Sequence, residues 1–599
     1  MAWYDEAVFY HIYPLGLAGA PKQNDYGEPV PRLNTLLPWV DHIKEIGGSA
    51  LYIGPLFESV GHGYETTDYK KLDSRLGTNE DLTAFVAYCH EQGIKVIFDG
   101  VFNHTGRDFF AFKDIQANRE NSHYKDWYCN VNFWGNNEYN DGFSYDNWGG
   151  YNLLVKLNQK NPAVVDYICD VIRFWVSEFD VDGIRLDAAD VLDFDFMKAL
   201  RRTANEVKPD FWLMGEVIHG DYSRWVNGET LHSVTNYTLH KALYSGHNDH
   251  NYFEIAHTVR RLQNMGTLKL YNFVDNHDVE RIYTKLTNKA HFAPVHVLLY
   301  TLPGVPSIYY GSEFGIEGRK EYGSDDSLRP ALNIEDYKDS VKTNPCTALI
   351  AALGKVRQAV PALSYGSYDE LMLTNRQFAY ARDLDGTRVI VSVNNDDAPA
   401  GMHLAAGNCT AYIGALSGEK VSVQDGHINI TQPANSGEIW VPEGTDLDVK
   451  PVKVVTKTDS EAKTNTEDKA ASETATDAKG NKEAEPKIES KESKDIVTAT
   501  ESADAKKNTT DIEKNTTAAN EVKDSAKDAS AQAAADTPVD PETITVDWSK
   551  SPESMTVPEL QAAILAKLAG NGPVDAQMKK TVVDNIWHDS LVNWLKSFR

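Results

Sequence analysis

The stretch VDGIRLDAAD, Val181 to Asp190, sets Arg185 and Asp187 two residues apart. Alternate side chains of a strand share a face, so this pair points one way while Ile184 and Leu186 point the other. A cation and a carboxylate in one enclosed space form either a structural ion pair or part of a reaction centre. Three more polar clusters follow apolar runs: DGVFNH with Asp99, Asn103 and His104, MGEV with Glu216, and FVDNHD with His277 and Asp278. Carboxylates crowded into a small cavity repel one another, so at least one is expected to hold its proton. One protonated and one ionised acid is the pairing that glycoside hydrolysis requires. On this reading Arg185 keeps Asp187 ionised as a nucleophile.

Such side chains need a frame that gathers distant segments. Eight apolar runs alternate with amphipathic helical stretches: VFYHIYPL, ALYIGPLF, KVIFDGVFNH, DGIRLD, WLMGEV, SVTNY, LYNFVDNH and SIYYG. That alternation predicts a closed parallel (β/α)8 barrel, an α/β fold whose chemistry sits at the C-terminal strand ends. The barrel is expected over 1–104 and 162–344. Residues 105–161 form an insertion after the third strand, rich in aromatics and Asn, which suit the faces and hydroxyl rim of a sugar. Alternating segments such as FAYARDL and TRVIVSVNN predict an antiparallel β-sandwich over 345–450. Residues 451–545, nearly free of aromatics, read as a disordered linker. Thr556 and Glu559 could form a capping box opening a small helical hairpin module over 546–599.

The 599 residues exceed what one core can fill, and a formal net charge of -28 argues against nucleic acid as a partner. The five cysteines lack metal-ligand spacing and read as reduced. No run is long and apolar enough to span a bilayer, so no membrane partner is expected. The N-terminus shows no signal-peptide pattern, which predicts a cytoplasmic protein, or an extracellular one if a leader was trimmed.

In this order DGVFNH, GIRLDAA, GEV and FVDNHD resemble the four signature regions of the α-amylase family of glycoside hydrolases, family 13, across residues 3 to 445. HGYETTDY and PGVPSIYYGSEFG extend the likeness. The resemblance implies a TIM barrel and a retaining double displacement on an α-glucan. It makes Asp187 the nucleophile, Glu216 the general acid/base and Asp278 the third acid, which binds and distorts the sugar. It assigns Arg185, His104 and His277 to the ring carrying the cleaved bond, and Tyr64 to the aromatic platform beneath it. Asp325 and Arg329, in DDSLR, are implied as sugar ligands. Asp99 and Asn103 read either as supports of the strand end or as ligand contacts.

Ala188 leans towards α-1,4 bonds, since many strictly α-1,6-acting members carry valine there. The KLN core of VKLNQKNPAV and His219 in GEVIH resemble the neopullulanase and cyclomaltodextrinase versions. A maltodextrin-degrading enzyme is therefore expected, acting on maltodextrins, starch or cyclodextrins. The alternatives are an α-1,6-glucosidase, a glucosyl-transferring member, or a non-catalytic binding scaffold. Asp190 and Val191 stand where typical α-amylases have Lys-His. No cofactor is required on this reading. Calcium is a possible ligand, with Asn103 as its candidate residue. The C-terminal module is expected to bind an unknown partner or to self-associate.

Overall fold

The computed structural model describes residues 2–266, 268–321 and 324–449, and near the C-terminus 546, 550, 551, 555–569 and 595. The chain divides into two units, Met1–Lys482 and Glu483–Arg599.

All eight expected strands form: β1 (Phe9–Ile12), β2 (Ala50–Ile53), β3 (Lys95–Gly100), β4 (Gly183–Leu186), β5 (Trp212–Gly215), β6 (Ser233–Val234), β7 (Tyr271–Asn272) and β8 (Val305–Tyr309). They pair in parallel in the order β6-β5-β4-β3-β2-β1-β8-β7. A parallel bridge from Thr235 to Tyr271, with Asn236 N–H donating to Tyr271 O at 2.9 Å, joins the two ends and closes the barrel. Helices cover its outside, so the strands are buried on both faces, which explains their continuous apolar sequences. Phe9, Tyr52, Ile97, Trp212, Met214 and Tyr271 fill the interior. Ile184 and Leu186 belong to the core outside the strands, while Arg185 is turned inward.

Helix starts carry their own signals. Thr78 caps Asn79–Glu91, Asn161 caps Pro162–Phe179 and Asp193 caps Phe194–Val207, each side chain accepting from a backbone N–H of the first turn. Pro162 sits at the first position of its helix, where no N–H is needed.

Helix Pro345–Ala359 precedes the antiparallel strands. It packs on the barrel: Arg357 donates to Tyr300 O and Gly304 O, each at 2.7 Å. Gly354 meets the turn at Gly47 so closely that a Cβ there would lie 2.3 Å from Ile46 O. The sequence hid this because an amphipathic helix does not say which neighbour its apolar face covers.

The antiparallel strands begin at β9 (Ser367–Leu373) and continue through β10 (Gln377–Leu384), β11 (Thr387–Asn394), β12 (Ala400–Ala405), β13 (Ala411–Gly414), β14 (Lys420–Ser422), β15 (His427–Gln432) and β16 (Ser436–Pro442). A six-stranded sheet ordered β9-β10-β11-β16-β13-β14 packs against the pair β12-β15 as a β-sandwich. Ala379, Ile390, Tyr412 and Trp440 from one sheet meet Met402, Leu404, Ile428 and Ile430 from the other.

The insertion builds a small three-stranded antiparallel sheet from His104–Thr105, Asn147–Trp148 and Tyr151–Lys156. His104 pairs with Lys156, which ties the insertion back to the end of β3. Phe112, Tyr128, Phe143 and Tyr145 form its aromatic centre.

In the second unit, helix Val557–Ala569 buries Leu560, Ala563, Ile564 and Leu565 against Met555 and Leu595. Glu559 accepts from Thr556 N at 2.7 Å and from its hydroxyl at 3.0 Å, the returning half of the expected capping box. The expected linker over 451–545, and all of the second hairpin helix except Leu595, lie outside the described residues. Among the described residues no helix is long and apolar enough to cross a membrane.

Candidate active site

A cavity of about 360 Å³ opens at the C-terminal ends of the barrel strands. Asp187, Glu216 and Asp278 all line it, together with Tyr64, His104, Asp325 and Arg329. Segments 64–329 thus meet around one hollow. The barrel brings them together because each residue follows a strand: Asp187 N–H donates to Gly100 O at 3.1 Å, and Glu216 N–H to Leu186 O at 2.9 Å.

Arg185 lies beneath the cavity, almost fully buried. Its Nη1 reaches Asp99 Oδ1 at 2.8 Å and Asp187 Oδ1 at 2.9 Å, and its Nη2 reaches Glu216 Oε2 at 3.0 Å. One guanidinium therefore serves three carboxylates. Asp99 is anchored further by the hydroxyls of Tyr52 at 2.9 Å and Tyr64 at 3.1 Å, and is absent from the cavity lining. Of its two sequence readings, support of the strand end is the one the structure favours.

This division of charge alters the expectation that Arg185 alone holds Asp187 ionised. Burial pushes the Asp187 carboxyl well above the ordinary range; Arg185 opposes the rise, while Glu216, Asp99 and Asp278 add to it. Asp278 behaves oppositely. Burial would raise it, but His277, Arg329 and Arg185 together hold it well below the usual carboxylate range. His277 Nε2 is 3.0 Å from Asp278 Oδ2, and Arg329 Nη2 is 2.7 Å from Oδ1. Arg329 also bonds Asp325 at 2.9 Å, so these two DDSLR residues form one unit with the third acid.

Tyr64 stacks parallel to His277, ring centres 5.7 Å apart, and its hydroxyl bonds that imidazole. His104 is pushed down to about 4 by burial and is neutral. Its Nε2 is 3.1 Å from Tyr64 O, which can only accept, so the proton sits there and Nδ1 accepts from Asn103 at 3.2 Å. Both nitrogens are thereby engaged. His219, expected among the substrate-binding residues, is exposed and does not line the cavity.

Asn103 is buried outside the cavity lining, and its Oδ1 has no hydrogen-bond partner. That is one oxygen, whereas calcium takes six to eight. Among the described residues no group of three or more His, Cys, Asp or Glu side chains converges as a metal site.

The wall also contains residues that the sequence did not single out as ligands: His62, Trp148, Leu154, Ala188, Asp190 and Ile218. Trp148 comes from the aromatic insertion, where composition announced sugar-binding character without saying which ring faces inward. Ala188 takes a left-handed conformation (φ 46°) directly after Asp187, and its N–H donates to Glu216 Oε2 at 3.1 Å. An alanine with positive φ is uncommon and costs energy, and no sequence pattern marks it.

Residues 32–355 match the family described as Alpha amylase, catalytic domain. The sequence is 31% identical over 422 residues to a cyclomaltodextrinase of Bacillus sp, covering 66% of this chain and 74% of that protein. It is 29% identical over 473 residues to neopullulanase 2 of Thermoactinomyces vulgaris, covering 73% and 78%. A solved cyclomaltodextrinase structure superposes with a TM-score of 0.66 at 27% identity, over 73% of this chain and 78% of that one. With the closed barrel and the acid-lined hollow at its strand ends, these matches establish that the chain belongs to the α-amylase family of glycoside hydrolases.

Proposed function

We propose that this glycoside hydrolase cleaves α-1,4-glucosidic bonds in maltodextrins or cyclodextrins with retention of configuration. The observation that carries the reading is that Asp187 and Glu216 bond to two nitrogens of one guanidinium beside a sugar-sized hollow. A shared guanidinium keeps both acids at one side of the hollow, and the retaining double displacement general to the family supports this reading. The cyclodextrin and maltodextrin preference is supported by the relatives named cyclomaltodextrinase and neopullulanase.

In the first step Glu216 gives its proton to the glycosidic oxygen as the bond from that oxygen to C1 breaks. An Asp187 oxygen forms a bond to C1, making a glycosyl ester. In the second step the Glu216 carboxylate takes a proton from water, the water oxygen attacks C1, and Asp187 departs as carboxylate. Negative charge thus passes from Asp187 to Glu216 and back. Arg185 touches both, so the cation stays beside the charge in every state and needs no reorganisation.

Asp278, held ionised by His277 and Arg329, accepts from sugar hydroxyls and favours a distorted ring. Tyr64 and Trp148 offer apolar faces to the sugar. The test compares the parent chain with Asp187→Asn and Glu216→Gln on maltoheptaose, cyclodextrin, pullulan and isomaltose. Turnover should fall by about 10⁴-fold or more in both variants, with α-1,4 products from the parent. Near-parent activity in either variant, or products from isomaltose alone, contradicts the reading.

A further inference from the structure

Strands β12 and β15 form a two-stranded antiparallel sheet whose inward residues, Met402, Leu404, Ile428 and Ile430, are buried. Alternation turns His403 and His427 to the opposite face, away from that core. In the register His403 faces Asn429 and Ala405 faces His427, so the two histidines are diagonal neighbours. Their rings lie nearly parallel, 12° apart, with centres separated by 4.2 Å.

Both rings are oriented by an oxygen at Nδ1. His427 Nδ1 lies 2.9 Å from the Asp425 carbonyl, and His403 Nδ1 lies 2.8 Å from Asn429 Oδ1. A carbonyl oxygen only accepts, so each Nδ1 carries the proton, and in the neutral imidazole each Nε2 is left with a lone pair. No hydrogen bond to either Nε2 is found among the described residues. Stacking alone would tolerate any tautomer. Here both tautomers are fixed in the manner of metal-ligating histidines, through an N–H donated to a carbonyl oxygen.

We infer that His403 and His427 form a two-point binding site for an imidazole-preferring divalent transition metal ion, with water completing the coordination. The order of affinity is Cu²⁺ first, then Ni²⁺ and Zn²⁺. Calcium and magnesium, which take oxygen ligands, do not bind there. The antiparallel ladder fixes the two backbones as diagonal neighbours, and ring centres 4.2 Å apart put both imidazoles within reach of one ion while each keeps its Nδ1 hydrogen bond.

The experiment titrates the untagged full-length chain with Cu²⁺ alone, followed by calorimetry and electron paramagnetic resonance. One equivalent with two imidazole nitrogens in its superhyperfine pattern is expected. His403→Asn and His427→Asn should each weaken that binding by at least about tenfold, because a chelate becomes a single contact. Circular dichroism and unfolding curves establish that both surface variants keep the fold. If each folded variant binds Cu²⁺ as tightly as the parent, with the same nitrogen pattern, the pair is only a packing contact and the inference is overturned. An equivalent bound tightly through a single nitrogen in the parent overturns it as well.

Discussion

Arg185 Nη2 stands 3.0 Å from Glu216 Oε2 while its Nη1 is bonded to Asp187, so the acid and the nucleophile of the proposed reaction share one cation. Lysine carries the same charge on a single point and cannot span both. Arg185→Lys should therefore keep the fold and lower kcat by about 10³-fold, on the scale of losing a preorganised charge contact. Steady-state kinetics checks this. A loss confined to KM would mean that Arg185 only helps to hold substrate.

The raised Asp187 carboxyl predicts the acid limb of the pH profile. Below its folded value Asp187 holds a proton and cannot attack, so kcat/KM, which reports the free enzyme, should begin to fall at a pH well above the ordinary aspartate value. The limb should move further up when Arg185, which opposes the rise, is replaced. An acid limb near pH 4 in the parent, the unperturbed aspartate range, would contradict the burial argument.

Trp148 reaches the cavity from the inserted sheet rather than from the barrel. Replacing it with alanine removes an aromatic platform worth about 1–2 kcal/mol. KM for maltoheptaose should rise roughly tenfold or more, with kcat little changed. An equal fall in kcat at constant KM would place Trp148 in transition-state binding instead.

Asp182 tests the frame independently of the chemistry. It is buried at the start of β4, where His90 Nε2 lies at 2.7 Å and Lys95 and Lys208 Nζ each at 2.9 Å. Burial would raise its carboxyl, but His90, the Val96 N–H, Lys95 and Lys208 outweigh that and depress it. A depressed acid stabilises the fold above its unfolded value and loses that contribution as pH falls through the folded one. Asp182→Asn should cost on the order of 3 kcal/mol at pH 7, with a difference that shrinks steadily below about pH 4. Urea unfolding at several pH values measures it; a pH-independent difference would contradict the ion-pair origin.

The barrel was legible because its strands are buried on both faces and so write themselves as apolar runs. DGIRLD and MGEV also announced which side chains lie at their ends. What stayed hidden depends on three-dimensional neighbours. The apolar face of Pro345–Ala359 fits a barrel or a sandwich equally well until its partner is known. The left-handed turn at Ala188 has no glycine or asparagine to mark it. The sharing of Arg185 among Asp99, Asp187 and Glu216 is a matter of distances, which one adjacent pair in the sequence does not reveal. His219, two residues beyond Val217 in GEVIH, is exposed outside the cavity lining, a placement that proximity in sequence to Glu216 does not settle.

The central claim is that Asp187 forms a covalent bond to C1. The most direct measurement is to react the chain with a fluorinated α-glucosyl fluoride that slows the second step, then locate the added mass by peptide mapping. The account predicts one sugar ester on Asp187, together with α-configured products from natural substrate by NMR. A label on another residue, or no adduct alongside β-configured products, would contradict it.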